Sequence, residues 1–192
     1  MLLRVAICLV AAFSTIPALA WNALGHKVVA EIAWRQLEPA QRQTIVDVLR
    51  RHPRLDDDFI RLMPADVATA DKSVQDHWIF QHAAYWPDVA RGLKGDELAK
   101  YHRSTWHYVT NPLFLDDQDR DALEATLRIN NSADYPAQTP REEFNVLQAI
   151  QHSLAAINSG AGADTKALAY CWLFHLVGDV HQPLHSTSLY SV

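Results

Sequence analysis

Along residues 21–192 the apolar positions recur mostly at three- and four-residue steps, and strict alternation is nearly absent. A period of this kind predicts helices. HKVVAEIAWRQL places Val28, Val29, Ile32, Ala33 and Leu37 on one face. Pro39 is well placed to open a second helix, AQRQTIVDVLRR, and His52-Pro53 ends it. DDFIRLM reads as a short third segment, and residues 75–85 as a fourth helix carrying Trp78, Ile79, His82 and Tyr85. WHYVTNPLFL is rich in aromatic and β-branched residues and reads as extended, with Pro112 arguing against a central strand. A further helix is expected over residues 119–128, then a proline-dotted loop to Pro140. EEFNVLQAIQHSLAAIN is amphipathic and runs out at Ser159-Gly160-Ala161-Gly162. ALAYCWLFHLVGDVHQ is apolar almost all round, the mark of a helix buried at the centre of a bundle. The expected fold is all-α, a single-domain helical bundle without internal repeats.

The first 20 residues break the pattern. MLLR gives a short positive start, VAICLVAAF an apolar run, and Ala18-Leu19-Ala20 a small-x-small cleavage site, the signature of a secretory signal. The run is short for a membrane span, and no later segment offers another. The expectation is an exported protein, periplasmic or secreted, whose mature domain covers residues 21–192. Removing residues 1–20 takes one of the 17 basic residues and none of the 22 acidic ones. It also takes Cys8, leaving Cys171 alone, so no internal disulfide can form in the mature chain. Stability then rests on packing or on some other cross-link. Ten histidines are a high load for 192 residues, and histidine is the commonest metal ligand.

FHLVGDVHQPLH concentrates that chemistry. His175 and Asp179 are four apart and project from one helix face. An unpaired carboxylate in so apolar a helix costs several kcal/mol, so Asp179 needs a partner. A divalent cation is one; a plain buried His–Asp hydrogen bond is the other. Pro183 ends the helix and lets His185 turn back toward the same region. Gly178 offers close approach to a neighbouring helix or to a metal cluster. His181 and His152 read as helix-surface residues. In YWPDVAR, Asp88 and Arg91 lie three apart; in WHYV, His107 sits in an apolar setting. Two histidines and two aspartates make a plausible zinc set of nitrogen and oxygen ligands.

WNALGH, YWPDVAR, WHYV and FHLVGDVHQPLH, in that order, resemble the zinc-dependent single-strand-specific (type I) nucleases of fungi, plants and bacteria. The resemblance runs through essentially the whole mature chain. It implies a helical fold of the zinc nuclease / phospholipase C type holding three zinc ions. It implies that Asp88, His107, His175 and Asp179 hold one ion, with Asp179 bridging, and that His185 serves a second. The third would take His26, Asp179 and Trp21, the last through its free α-amino nitrogen and carbonyl oxygen. Signal removal after Ala20 would create that amine. Arg91 matches the family's phosphate-stabilising arginine, and Tyr108 its base-stacking ring. Thr110 stands where fungal relatives carry a carboxylate that hydrogen-bonds the base, which leaves the base preference open while the stacking platform survives. The family also expects a later Gly-Gly-Asn segment, then a His and an Asp that complete the second site. The chain reads as an N-terminal portion whose activity alone is expected to be low.

The implied activity is endonucleolytic hydrolysis of single-stranded DNA or RNA by a monomer, giving 5′-phosphorylated products, with 3′-nucleotidase activity from the same geometry. The formal net charge of −5 disfavours binding spread along a phosphate backbone, whereas clustered divalent ions supply local positive charge. Two rivals stand beside this reading. A zinc-dependent phospholipase C has a similar GDxxQPxH helix, but there the histidine lies well beyond the first tryptophan, whereas Trp21 and His26 are five apart. The other is a non-catalytic remnant that keeps zinc as a structural cross-link.

Overall fold

The computed structural model describes residues 22–136 and 138–192; residues 1–20 and Trp21 lie outside them, and with them the expected signal segment. Among the described residues the chain is helical, with one small sheet. Helix α1 is Ala23–Gln36, α2 Pro39–Leu49, α3 Leu55–Asp58, α4 Ala65–Ala68, α5 Lys72–Arg91, α6 Gly95–Tyr101, α7 Asp117–Leu123, α8 Val146–Asn158 and α9 Ala163–Asp179. Strands β1 (Asn111–Phe114) and β2 (Thr187–Tyr190) run parallel, with Leu113 opposite Leu189. No described helix is long and apolar enough to cross a membrane.

Helix α9 is the axis of the bundle, as its all-round apolarity predicts. It packs against α1, α2, α5 and α8. Cys171 joins a core built from Val46, Leu49, Phe59, Ile79, Phe80 and Trp86. Trp172 and Leu176, on its other side, join Trp106, Val109, Phe144, Val146 and Ala149. Leu49, Phe59, Phe80 and Ile79 are fully buried, each contributing about 1.5–3 kcal/mol relative to exposure. Helix α8 begins where Asn145 accepts from the backbone of Leu147 and Gln148, and Gln148 reaches back to the Asn145 N–H.

Three expectations need correction. The buried face of α1 is not the Val28–Ile32 stripe: Val28 and Ile32 are 46% and 59% exposed, while His26 and Ala30 are buried. The rival face wins because Trp34 docks into the core and His26 fits a gap at Gly178, while Leu37 of the expected stripe still packs against the core at the helix end. Helix α5 starts earlier than residue 75 and continues through Pro87 to Arg91. Proline removes one ladder hydrogen bond, but Trp86 is fully buried and its Nε1 donates to Asp58 Oδ2 at 2.9 Å, which holds the turn. The WHYVTNPLFL segment is extended only in its second half, since Ser104–His107 forms a 3₁₀ turn. Pro112 is tolerated in β1 because both strands of a two-stranded sheet are edges. Strand β2 had no counterpart in the sequence reading.

Candidate metal centre

The C-terminal end of α9 meets the first turn of α1, the last turn of α5 and the 3₁₀ turns ending at His107 and His185. Each delivers a polar side chain to one point. Asn22 caps α1, accepting from Leu24 and Gly25, and so sets His26 in the first turn. At Gly178 a Cβ would lie 2.8 Å from His26 Nδ1, so only glycine admits the ring. His26 then stacks on His175, centroids 3.8 Å apart. Gln182 caps the turn that brings His185 back, and His185 Nδ1 donates to the His107 carbonyl at 2.7 Å.

Asp179 is the hub, 1% exposed. His107 Nδ1 lies 3.0 Å and His175 Nε2 3.1 Å from its Oδ2. His185 Nδ1 and His26 Nε2 lie 3.3 and 3.6 Å from Oδ1. Asp88 Oδ2 is 4.0 Å from His26 Nε2, and its other oxygen meets Arg91 at 3.2 Å. Burial pushes the Asp179 carboxyl up, but the ring N–H of His107, with His175 and His185 beside it, more than offsets this and holds its pKa far below the ordinary carboxylate range. Burial, then the neighbouring His175, lowers His26 to about 3. Burial likewise lowers His107. His185 moves the other way, raised by its bond to Asp179.

The donor inventory fits a cation. His175 Nδ1 donates to the Ala84 carbonyl at 2.8 Å, which leaves Nε2 as a lone pair facing inward. That lone pair sits 2.9 Å from His107 Nδ1, and only one of two facing imidazole nitrogens can hold the intervening proton. Among the described residues His107 Nε2 and His26 Nδ1 are buried without a hydrogen-bond partner; the His26 nitrogen faces Gly178, and its Nε2 is the one turned to Asp88 and Asp179. Neutral imidazoles beside an ionised, buried carboxylate are what a divalent ion requires. Two groups have ligand atoms within 4.8 Å of one another: His26, His175 and Asp179, and Asp88, His107 and His175. His175 belongs to both. Trp21 lies outside the described residues, so its part in the site is untested.

Tyr108 follows His107 and is 43% exposed. With Thr110, Arg128, Asn130, Asn145 and Tyr190 it lines an open cavity of about 290 Å³. Arg91 is more than half exposed. His181 is exposed and bonds the Val177 carbonyl. His152 is partly buried, its Nδ1 paired with Tyr135 Oη at 3.1 Å. Sequence reasoning missed the brace beneath Asp88. Arg54 grips Asp58 through two nitrogens, at 2.6 and 2.9 Å, and Asp58 holds the Trp86 indole. The i, i+4 spacing of Arg54 and Asp58 was its one visible signal.

A model of the S1/P1 Nuclease family matches residues 21–191. Comparison with the curated proteins and with the solved structures returns no significant match.

Proposed function

The chain belongs to the S1/P1 nuclease family, and from that premise we propose that it is a zinc-dependent endonuclease hydrolysing phosphodiester bonds of single-stranded DNA or RNA. Family membership and the two His/Asp clusters together support zinc-dependent nuclease activity in general. The observation that carries the reading is the convergence of four histidine rings on buried Asp179, with the second carboxylate, Asp88, beside His26.

Asp88, His107, His175 and Asp179 would hold one ion; His26 and Asp179, with Trp21, would hold another; His185 would serve a third. Bound zinc supplies Lewis-acid polarisation of the phosphate and activation of water. The protein's own groups do the rest. Arg91, exposed at the rim, offers paired N–H donors to the non-bridging oxygens as charge builds. Asp88 draws that guanidinium toward the cluster from one helical turn away. Tyr108 presents a ring to an unpaired base, and stacking of this kind is worth about 1–3 kcal/mol per base. A base held in a duplex cannot reach it, so single strands are preferred. Thr110, in the same cavity, offers a hydroxyl in place of a charged acceptor.

The products would carry 5′ phosphates, and a nucleoside 3′-phosphate would be a further substrate. Export follows from the leader reading, which also accounts for a free amine at Trp21. Digestion of matched single-stranded and duplex oligonucleotides tests the proposal, using protein secreted from its own leader and end-group analysis of the products. Equal rates on both, or hydrolysis that persists after zinc is stripped, would refute it.

A further inference from the structure

A second concavity, about 240 Å³, shares a wall with the metal cluster. Lys100, Arg103, Trp106, Arg141, His152 and Trp172 line it, from α6, the turn before His107, the loop ahead of α8, and α8 and α9 themselves. Trp172 is the shared wall, its ring 5.4 Å from that of His107. None of the cluster residues, Arg91 or Tyr108 reaches this pocket, and no Asp or Glu lines it.

The charge here is only weakly compensated, by Glu142 beside Arg141 and Arg103 and by Glu97 near Lys100. Arg103 spends three of its five N–H groups on the carbonyls of Ala99, Lys100 and His102, and among the described residues no carboxylate lies at ion-pair distance from it. Among the described residues Arg141 pairs only with Glu142, 3.6 Å away with both side chains at least half exposed, a pair of little energetic weight. Lys100 lies over the Tyr101 ring, 4.9 Å from its centroid. Burial, then the repulsion of Arg141, lowers the pKa of both Arg103 and His152. His152 uses Nδ1 on Tyr135, and its Nε2 has no hydrogen-bond partner among the described residues.

We propose that this pocket is a second nucleotide site, binding the phosphate of a nucleotide between Lys100, Arg103, Arg141 and His152, separate from the metal centre. Guanidinium and ammonium groups without a carboxylate among them are suited to a phosphate. Trp106 and Trp172 supply the apolar side that a sugar would contact. The volume lies below the roughly 300–1,000 Å³ of pockets that enclose a whole drug-sized ligand. A phosphate and its sugar therefore enter, and the base remains at the mouth. This inference rests on the nuclease reading, because that reaction makes and handles nucleotides. The occupant is either a released 5′-nucleotide or one nucleotide of a longer bound strand.

The test compares the zinc-loaded protein with its Lys100→Glu/Arg141→Glu variant, both positions being exposed side chains outside the proposed reaction machinery. Calorimetric titration with 5′-dAMP should show one class of site weakened at least tenfold in the variant, with deoxyadenosine unable to compete for it. Hydrolysis of a dinucleotide should be unchanged. A KM raised only for a long single strand identifies the strand as occupant; relief of product inhibition alone identifies the free nucleotide. Superimposable 5′-dAMP isotherms, or equal competition by deoxyadenosine, would overturn the site. If 5′-dAMP binding is lost in the variant but neither protein cleaves nucleic acid, the pocket stands and the nuclease reading falls.

Discussion

Gly178 and His26 are in contact across two helices: a methyl group at position 178 would lie 2.8 Å from the imidazole Nδ1. Alanine would ordinarily improve a helix interior by up to about 1 kcal/mol. Here the ring is clamped against His175 and cannot withdraw. Overpacking of this kind costs about 1–3 kcal/mol, so the clash wins. Gly178→Ala should lower the melting temperature and the bound zinc together. Gly160→Ala, with open space around it, should change neither.

Arg91 touches phosphate in this account and contributes little to the fold. Among the described residues its only carboxylate partner is the partly exposed Asp88, and such pairs give about 0–1 kcal/mol. Arg91→Ala should therefore leave stability and zinc content nearly unchanged. Its kcat/KM should fall about 100-fold or more, the usual consequence of removing one charge-stabilising donor. A variant that loses zinc or unfolds would show the residue to be structural.

Tyr108 contributes through its ring and not its hydroxyl. Tyr108→Phe should cleave single strands normally. Tyr108→Ala should lose about 1–3 kcal/mol of binding, a five- to 150-fold rise in KM. The preference for single strands over duplex should narrow in parallel. An unchanged ratio would remove Tyr108 from substrate recognition.

The His52–Asp58–His82 group gives a pH dependence away from the metal. His52 Nδ1 accepts from the Arg54 N–H at 3.1 Å, and His82 Nε2 donates to the Asp58 carbonyl at 2.8 Å. Protonation would break the first bond and leave the second ring with a buried, unpartnered Nδ1–H. Burial lowers His52 to about 3 and His82 to about 4. Both folded-state values lie below the unfolded value near 6.5, so the unfolded chain binds the proton first. The stability from neutral rings is complete above about pH 6.5 and declines as pH falls toward 4. Each histidine costs up to about 1.4 kcal/mol per pH unit in that window. Urea unfolding should show a shallower acid slope for His52→Gln/His82→Gln than for the natural protein.

The α9 end of the site is legible in sequence because its signals are local. His175 and Asp179 share a face by spacing alone, and Pro183 dictates the return that brings His185 back. Asp88 and His107 could be seen only as polar residues in apolar company, since their meeting depends on how α5 and the 3₁₀ turn pack. His26 was the hardest of the described residues. Counting apolar positions favours the stripe through Val28 and Ile32, which the structure leaves exposed. The winning face is set by a glycine on a distant helix, and no local pattern reports that. The same holds for the Ala84 carbonyl, whose acceptance from His175 fixes the ligand nitrogen.

The central claim is that these side chains assemble a zinc centre. Calorimetric titration of the metal-stripped natural protein with zinc tests it most directly, alongside His175→Gln and Arg91→Ala. His175 belongs to both candidate groups. The account predicts at least two ions bound per chain, both weakened by His175→Gln and neither affected by Arg91→Ala. No saturable zinc binding, or an isotherm unchanged by His175→Gln, would contradict it.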